Sequence, residues 1–239
     1  MPSVERIVMT VLSGWWDDFF FGTLVVLKLF VVALILSVIF GLIGSTAKLS
    51  RNRTLRFFAN AYTVIFRGTP ELIVLLIFYY GTAISLTWFI QLFNPQIKFV
   101  DLPPFWAGAT AIGFIVGAYM TETFRGAFLG VPEGQVEAAH ALGLSKAQTF
   151  FYVRVPQMWR LALPNFGNHL LSIMKDTALI SVIGLEEIVF VGAMATAVTH
   201  QPFLMYMVVA LIYLAITTFI TVSVAGLEQY ANRHMRRAV

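Results

Sequence analysis

Cysteine is absent from all 239 residues, which excludes disulfide scaffolds, thiolate nucleophiles and zinc sites built from thiolates. Charge is scarce too: Asp, Glu, Lys and Arg make up 12% of the chain, against 59% hydrophobic residues. A soluble domain devotes about a quarter of its residues to charge. A soluble core can hide one all-apolar helix, but hardly four or five of spanning length. There is no glycine-rich loop ending in Gly-Lys-Ser/Thr, so nucleotide would have to be hydrolysed elsewhere. No fixed-period repeat, low-complexity tract or inverted hydrophobic repeat is visible, and no catalytic residue or metal ligand is assigned.

Long apolar runs fill the chain instead. Residues 22–47 are Leu, Val, Ile, Phe and Ala, interrupted only by Lys28 and small residues, and about 20 such residues at 1.5 Å rise cross a bilayer. Runs at 21–47, 55–84, 106–128, 161–174 with a continuation toward 197, and 203–227 predict an all-α membrane protein of five spans, one transmembrane domain over 1–239. Lys48, Arg51, Arg53 and Arg56 follow the first run; Lys146, Arg154 and Arg160 lie between the third and fourth; Arg233, Arg236 and Arg237 follow the fifth. The second-to-third connection carries Lys98 against Asp101, and the fourth-to-fifth carries no Lys or Arg. Basic residues stay cytoplasmic, so five spans predict an N-terminus outside and a C-terminus in the cytoplasm. An even number of spans breaks this agreement unless one run is re-entrant. The net charge of +4 is modest and sits beside apolar runs, so no nucleic-acid surface is expected.

Residues 1–10 hold one Arg and no clean cleavage pattern, so the first run is expected to be retained. Trp15, Trp16, Asp17 and Asp18 are expected to form a short interfacial segment, and Trp88 and Trp106 flank the outer connection. Asn94-Pro95 and Pro103-Pro104 mark that connection as a loop.

The longest internal polar stretch is 131–160. Pro132 suits a first helical turn, with Glu133 against the exposed donors there. Glu137-Ala138-Ala139 continues the helix until Gly143 interrupts it. Ser145 then caps a second short helix over 146–153, and Val155-Pro156 closes the segment. The stretch is either a compact knob held between spans or a solvated loop with its own fold.

Charge at membrane depth is costly unless paired, wet or near headgroups. Glu122 and Arg125, three apart, share a helix face and form a structural or gating pair. Arg67 and Glu71, four apart across Pro70, brace the start of the second span; alternatively Pro70 divides that run into an interfacial helix and the main span. Asn165, Asn168, His169 and Ser172 fall at offsets 0, 3, 4 and 7, one polar stripe on a helix. Such groups face either a partner helix or a water-filled path, and they are the substrate-pathway candidates. Lys175 and Asp176 are adjacent, so on a regular helix they do not face one another, and Thr177 and Gly184 predict a local break there. Leu185-Glu186-Glu187-Ile188 opens an amphipathic outer helix whose two glutamates either meet a partner protein or are simply wet.

Glu137-Ala138-Ala139, Gly143 and Phe151-Tyr152-Val153-Arg154-Val155-Pro156 resemble the signature of inner-membrane permease subunits of bacterial ABC importers. Arg67-Gly68-Thr69-Pro70, Gly117-Ala118-Tyr119-Met120-Thr121-Glu122-Thr123-Phe124-Arg125-Gly126-Ala127, Ala162-Leu163-Pro164-Asn165-Phe166-Gly167-Asn168 and Ser172-Ile173-Met174-Lys175-Asp176-Thr177-Ala178-Leu179 are similar to its polar amino acid branch. Gly41-Leu42-Ile43-Gly44 with Lys48-Leu49-Ser50 and Asn52-Arg53 resembles subunits for histidine, lysine, arginine and ornithine, and related opine permeases. The resemblance implies a five-span permease core in a bacterial inner membrane, its N-terminus periplasmic and its C-terminus cytoplasmic. Its 131–160 loop forms coupling helices on an ATPase, with Glu137, Ala138, Ala139, Gly143 and Pro156 as coupling positions, and Lys175 and Asp176 are structural residues at the end of a short fourth span. It implies as partners two copies of an ABC ATPase that binds MgATP, a second, different permease chain, a periplasmic solute-binding protein and a polar, most of all basic, amino acid or opine. No cofactor is expected on this chain. The rival classes are a non-transporting membrane scaffold and an ion-coupled secondary transporter.

Overall fold

A chain this apolar must satisfy its own backbone, and among the described residues it does so by helix outside the connections, of which 92–103 is the longest. The computed structural model describes residues 14–233; the reading of residues 1–10 and the basic residues Arg236 and Arg237 lie outside them. The helices are α1 (Trp16–Leu49), α2 (Arg53–Gly68), α3 (Glu71–Gln91), α4 (Pro104–Leu129), α5 (Glu133–Ala141), α6 (Lys146–Thr149), α7 (Val155–Asp176), α8 (Ile188–Thr199) and α9 (Pro202–Asn232). A π-helical stretch, Phe150–Arg154, joins α6 to α7, and a 3-10 stretch, Thr177–Ile183, extends α7.

By length and composition α1, α3 and α9 can each cross a membrane, and the helix running Lys146–Ile183 forms a fourth crossing if it and α8, bent from it by 50°, are one span. The expected third run, 106–128, is the long helix α4, which carries Glu122 and Arg125 near its end and is not among those three helices. The expected run 55–84 is not one helix. It divides at Thr69-Pro70, because proline lacks the N–H a helix needs and disfavours helical φ/ψ in the residue before it. Of α2, only Ala59 and Thr63 are buried. Trp16, Asp17 and Asp18 do not form a separate segment: they are the first turn of α1, where carboxylates meet the positive helix end.

Val155-Pro156 does not close the polar stretch either; the helix runs on through it. Pro156 cannot donate to Tyr152, and the preceding turn relaxes into π geometry, with the Val155 N–H reaching the Phe150 carbonyl. The 146–153 helix is therefore short α followed by π, continuous with α7.

The chain divides into two compact units that share α1, α4, α7 and α9. The first comprises residues up to Leu36, Thr69–Gly113 and Ile173–Thr218; the second comprises Ser37–Gly68, Phe114–Ser172 and the chain from Phe219. In the first unit Val26, Leu29 and Ala33 of α1 are fully buried, as are Ala83, Ile173, Ile180, Ile188 and Met205. The outer connection is tied down there: the Tyr79 hydroxyl donates to Asp101 at 3.2 Å and the Val100 N–H to Thr87 at 2.9 Å.

In the second unit, small residues let α1 and α4 touch. Ser37, Gly41 and Ser45 recur every fourth residue and are buried, the small-residue spacing that brings membrane helices close. A Cβ on Gly41 would lie 2.7 Å from the Met120 Cβ, and one on Gly117 would lie 2.7 Å from the Phe40 Cβ. The Tyr62 hydroxyl closes the seam by donating to the Phe114 carbonyl at 2.6 Å.

Candidate coupling turn and polar pathway

The polar knob is built by local rules. Pro132 stands before α5 at φ −59°, the value its ring imposes. At the other end Gly143 adopts φ +82°, its N–H donates to the His140 carbonyl at 2.9 Å, and the Leu144 N–H reaches the Ala139 carbonyl at 3.1 Å. These two bonds satisfy carbonyls that a helix end leaves open, and the left-handed residue they require is ordinarily glycine. Ser145 follows with a reciprocal cap: its Oγ accepts from the Gln148 N–H at 3.3 Å and its own N–H donates to Gln148 Oε1 at 2.9 Å.

α5 and α6 pack together and α5 also touches the π stretch, so the turn is held as a compact unit. Glu137 and Ala138 are exposed, whereas Ala139 is buried beside Val136; of the two alanines only Ala138 presents itself outward. Leu142 is 81% exposed and Tyr152 74%, an apolar surface that water alone does not favour. Pro156 is exposed on α7.

A second constellation lies on α2, α4 and α7 within the same unit. His169 Nε2 is 2.8 Å from Thr123 Oγ1, and the His169 ring sits 6.3 Å from that of Tyr119. The Arg67 guanidinium lies 5.4 Å over the Tyr119 ring and within electrostatic range of His169. Arg67 and Glu71 do not form the expected brace: among the described residues the ion pairs are Lys48–Glu122, Arg125–Glu122 and Arg154–Glu133. The physical reason is the break at Pro70, which removes the continuous helix that would align positions four apart. Glu71 instead lies within electrostatic range of Asp176.

Along the expected α7 stripe, Asn165, Asn168 and Ser172 are exposed and His169 turns to Thr123. Asn168 also lines a cavity of about 200 Å³ with Gly167, Leu171, Thr221, Val224 and Glu228. α9 comes close there, since a Cβ on Gly167 would lie 2.4 Å from Val224 Cγ1.

Glu122 and Arg125 pair at 2.8 Å, and Lys48 of α1 completes the cluster on the other carboxylate oxygen. Lys48 was legible only as one of several basic residues. Its spacing gives the missing signal: it stands seven after Gly41 and four after Gly44, on the α1 face that meets α4. Lys175 is exposed, and Asp176 stands at the change from α to 3-10 helix.

Glu187 is the clearest correction. It is neither wet nor free for a partner, but fully buried. One oxygen accepts from the Val189 and Phe190 N–H groups at 2.9 and 3.0 Å, and the other from the Tyr213 hydroxyl at 3.1 Å. Tyr213 in turn meets Thr177 at 3.2 Å. Only Glu186 is exposed.

Residues 37–237 match the family described as binding-protein-dependent transport system inner membrane component. The chain is 41% identical to the histidine/lysine/arginine/ornithine transport system permease protein HisQ of Salmonella typhimurium over 91% of this chain and 94% of that one. It is 35% identical to the octopine transport system permease protein OccQ of Rhizobium meliloti, over 95% of each. A crystal structure of an amino acid ABC transporter with histidines superposes with a TM-score of 0.78 at 29% identity, over 92% of this chain and 96% of that one.

Proposed function

The chain belongs to the binding-protein-dependent transport system inner membrane components and is a permease subunit of an amino acid ABC importer, and on that premise we propose that it carries basic amino acids or opines derived from them. The similarity to a histidine/lysine/arginine/ornithine permease and to an octopine permease is the observation that carries this substrate class. It is a multi-pass inner-membrane transport component rather than a catalyst, and its family works with an ATPase and a solute-binding protein.

In the proposed assembly two ATPase copies bind and hydrolyse MgATP, and the second permease is a different homologous chain. In this reading the chain crosses five times, α4 included, with the N-terminus periplasmic and the basic segments, 131–160 among them, cytoplasmic. The knob of α5, Gly143 and α6 docks on the ATPase through Glu137, Ala138 and the exposed Leu142 and Tyr152, and Pro156 sets the start of α7 behind it. When the ATPases close on nucleotide, the knob moves as a lever and shifts α7. Nucleotide must favour one of two packings of the spans for this to drive transport. His169, Asn165 and Ser172 line the path, with Arg67 and Tyr119 beside them, while Asn168 packs toward α9. Glu122, Arg125 and Lys48 tie α1 to α4 near the basic end, and Glu71, Lys175 and Asp176 shape the end of the fourth span.

The test is uptake into proteoliposomes holding the full assembly and its binding protein, with arginine, lysine, ornithine, histidine, glutamine and opines offered separately. ATP-dependent uptake of the basic amino acids or opines supports the reading. Uptake of glutamine alone overturns the substrate class, and uptake driven by an ion gradient without ATP overturns the coupling.

A further inference from the structure

A cavity of about 740 Å³ opens in the second unit between the end of α1, the end of α4 and the start of α7, within the range of about 300–1,000 Å³ common for ligand sites. Leu42 and Leu49 come from α1, Phe124 and Phe128 from α4, and Met158 and Trp159 from α7. The wall's hydroxyls do not make it wet. Ser45 and Thr46 both donate to the Leu42 carbonyl of their own helix, at 3.0 and 2.7 Å, so little is left to hold water there.

The rim has the opposite character. Ser50 lines the cavity and Arg51 follows it, exposed; Arg53 and Arg56 continue the run on the first turn of α2, also exposed. On the other side Arg154 precedes the lining residue Val155, and its guanidinium lies 5.1 Å over the Phe128 ring. Glu122 already shares its charge with Lys48 and Arg125. The Arg154–Glu133 pair is a single 3.4 Å contact to a carboxylate that is 77% exposed, weak enough for a phosphate to displace, so Arg154 joins Arg51, Arg53 and Arg56 in giving the rim a surplus of positive charge. A dry slot beneath a basic rim at a membrane helix end matches a lipid tail beneath an anionic headgroup.

We propose that this cavity holds one acyl chain of an anionic phospholipid whose phosphate is bound at the rim by Arg51 and Arg154. The site is separate from the His169 cluster and does not depend on which solute is carried.

The assembly, exchanged into nanodiscs of equal phosphatidylglycerol and phosphatidylethanolamine, is examined by native mass spectrometry for retained lipid. Wild type is expected to retain phosphatidylglycerol with several-fold enrichment over the bilayer ratio. Replacing both rim arginines (R51Q with R154Q) brings that ratio toward unity, and Leu42→Trp, which fills the slot, lowers total retained lipid. Both arginines reach the surface, so the rim variant decides the matter even where the slot variant assembles poorly. No enrichment in wild type, or enrichment unchanged in the rim variant, overturns the proposal. So does a photo-crosslinker at position 158 that labels the second permease chain in place of lipid.

Discussion

Gly143 and Gly184 close their helices with nearly the same backbone, at φ +82° and +89°. Each is followed by a residue whose N–H reaches back five positions, Leu144 to Ala139 at 3.1 Å and Leu185 to Ile180 at 3.4 Å. The next helix then begins on a side-chain cap, Ser145 in one case and Glu187 in the other. Beyond that the two turns differ. The Gly143 turn is exposed along with Leu142, and its cap is neutral and wet. The Gly184 turn leads directly into a buried carboxylate, held by two backbone donors and a tyrosine hydroxyl. One backbone solution therefore serves two purposes. In the polar knob it leaves apolar surface free for a partner, whereas in the bent span every polar group must find a protein partner because lipid supplies none.

The largest effect is expected at Glu187. Glu187→Ala strands the Val189 and Phe190 N–H groups and the Tyr213 hydroxyl, and each buried donor left unsatisfied costs about 1–3 kcal/mol. The purified assembly should lose about 3 kcal/mol or more of stability, read as a lower Tm and a lower yield of intact complex. Glu187→Gln keeps an acceptor for the helix end and should lose less. An alanine variant as heat-stable as wild type would remove the case for a structural buried cap.

Next come the glycines themselves. A Cβ at either position meets nothing within 4 Å, so Gly→Val costs backbone strain alone, about 1–2 kcal/mol. Equal strain should appear in different measurements. Gly184→Val should lower the Tm of the assembly. Gly143→Val should leave Tm closer to wild type while solute moved per ATP falls about tenfold, the population change that about 1.4 kcal/mol produces. Unchanged solute per ATP in the Gly143 variant refutes the lever, and equal loss of Tm in both shows that the knob is as structural as the span.

His169→Ala probes the proposed path in the unit that carries the Gly143 turn. Its bond to Thr123 is worth about 1 kcal/mol, so uptake should drop about fivefold, while the ATPase co-purifies in normal amount. Uptake at the wild-type rate rejects a pathway role for His169.

The knob was legible in the sequence because its determinants are local. Pro132, Gly143 and Ser145 each act within about one helical turn, and the structure puts the helix start, the turn and the cap at those residues. The helical class and the apolar spans were legible for the same reason, from runs of residues. What escaped was set by contacts distant in sequence. Glu187 beside exposed Glu186 reads as surface until Tyr213, 26 residues on, is seen to bond it. Lys48 reads as one more headgroup-facing charge until Glu122, 74 residues on, comes into place. The cavity that Asn168 borders is formed with Thr221, Val224 and Glu228 of α9, more than 50 residues on. The π stretch before Pro156 was misread for a different reason. Proline signals a helix end, yet here one turn of altered hydrogen bonding absorbs the lost donor and the helix continues.

The smallest effect should come from the wet cap, and it separates the two turns most cleanly. Ser145→Ala removes the acceptor for the Gln148 N–H but leaves that group in water, so the cost is a helix-cap loss of about 0.5–1 kcal/mol. A helix as short as Lys146–Thr149 has little else to hold its first turn, so the loss should appear as faster amide exchange over residues 146–149. Tm of the assembly should barely move. If Ser145→Ala lowered Tm as far as Glu187→Ala, the Ser145 cap would have to be shielded from water by the docked ATPase. Repeating the measurement with the ATPase removed tests that directly, since an exposed cap then returns to its small, local cost.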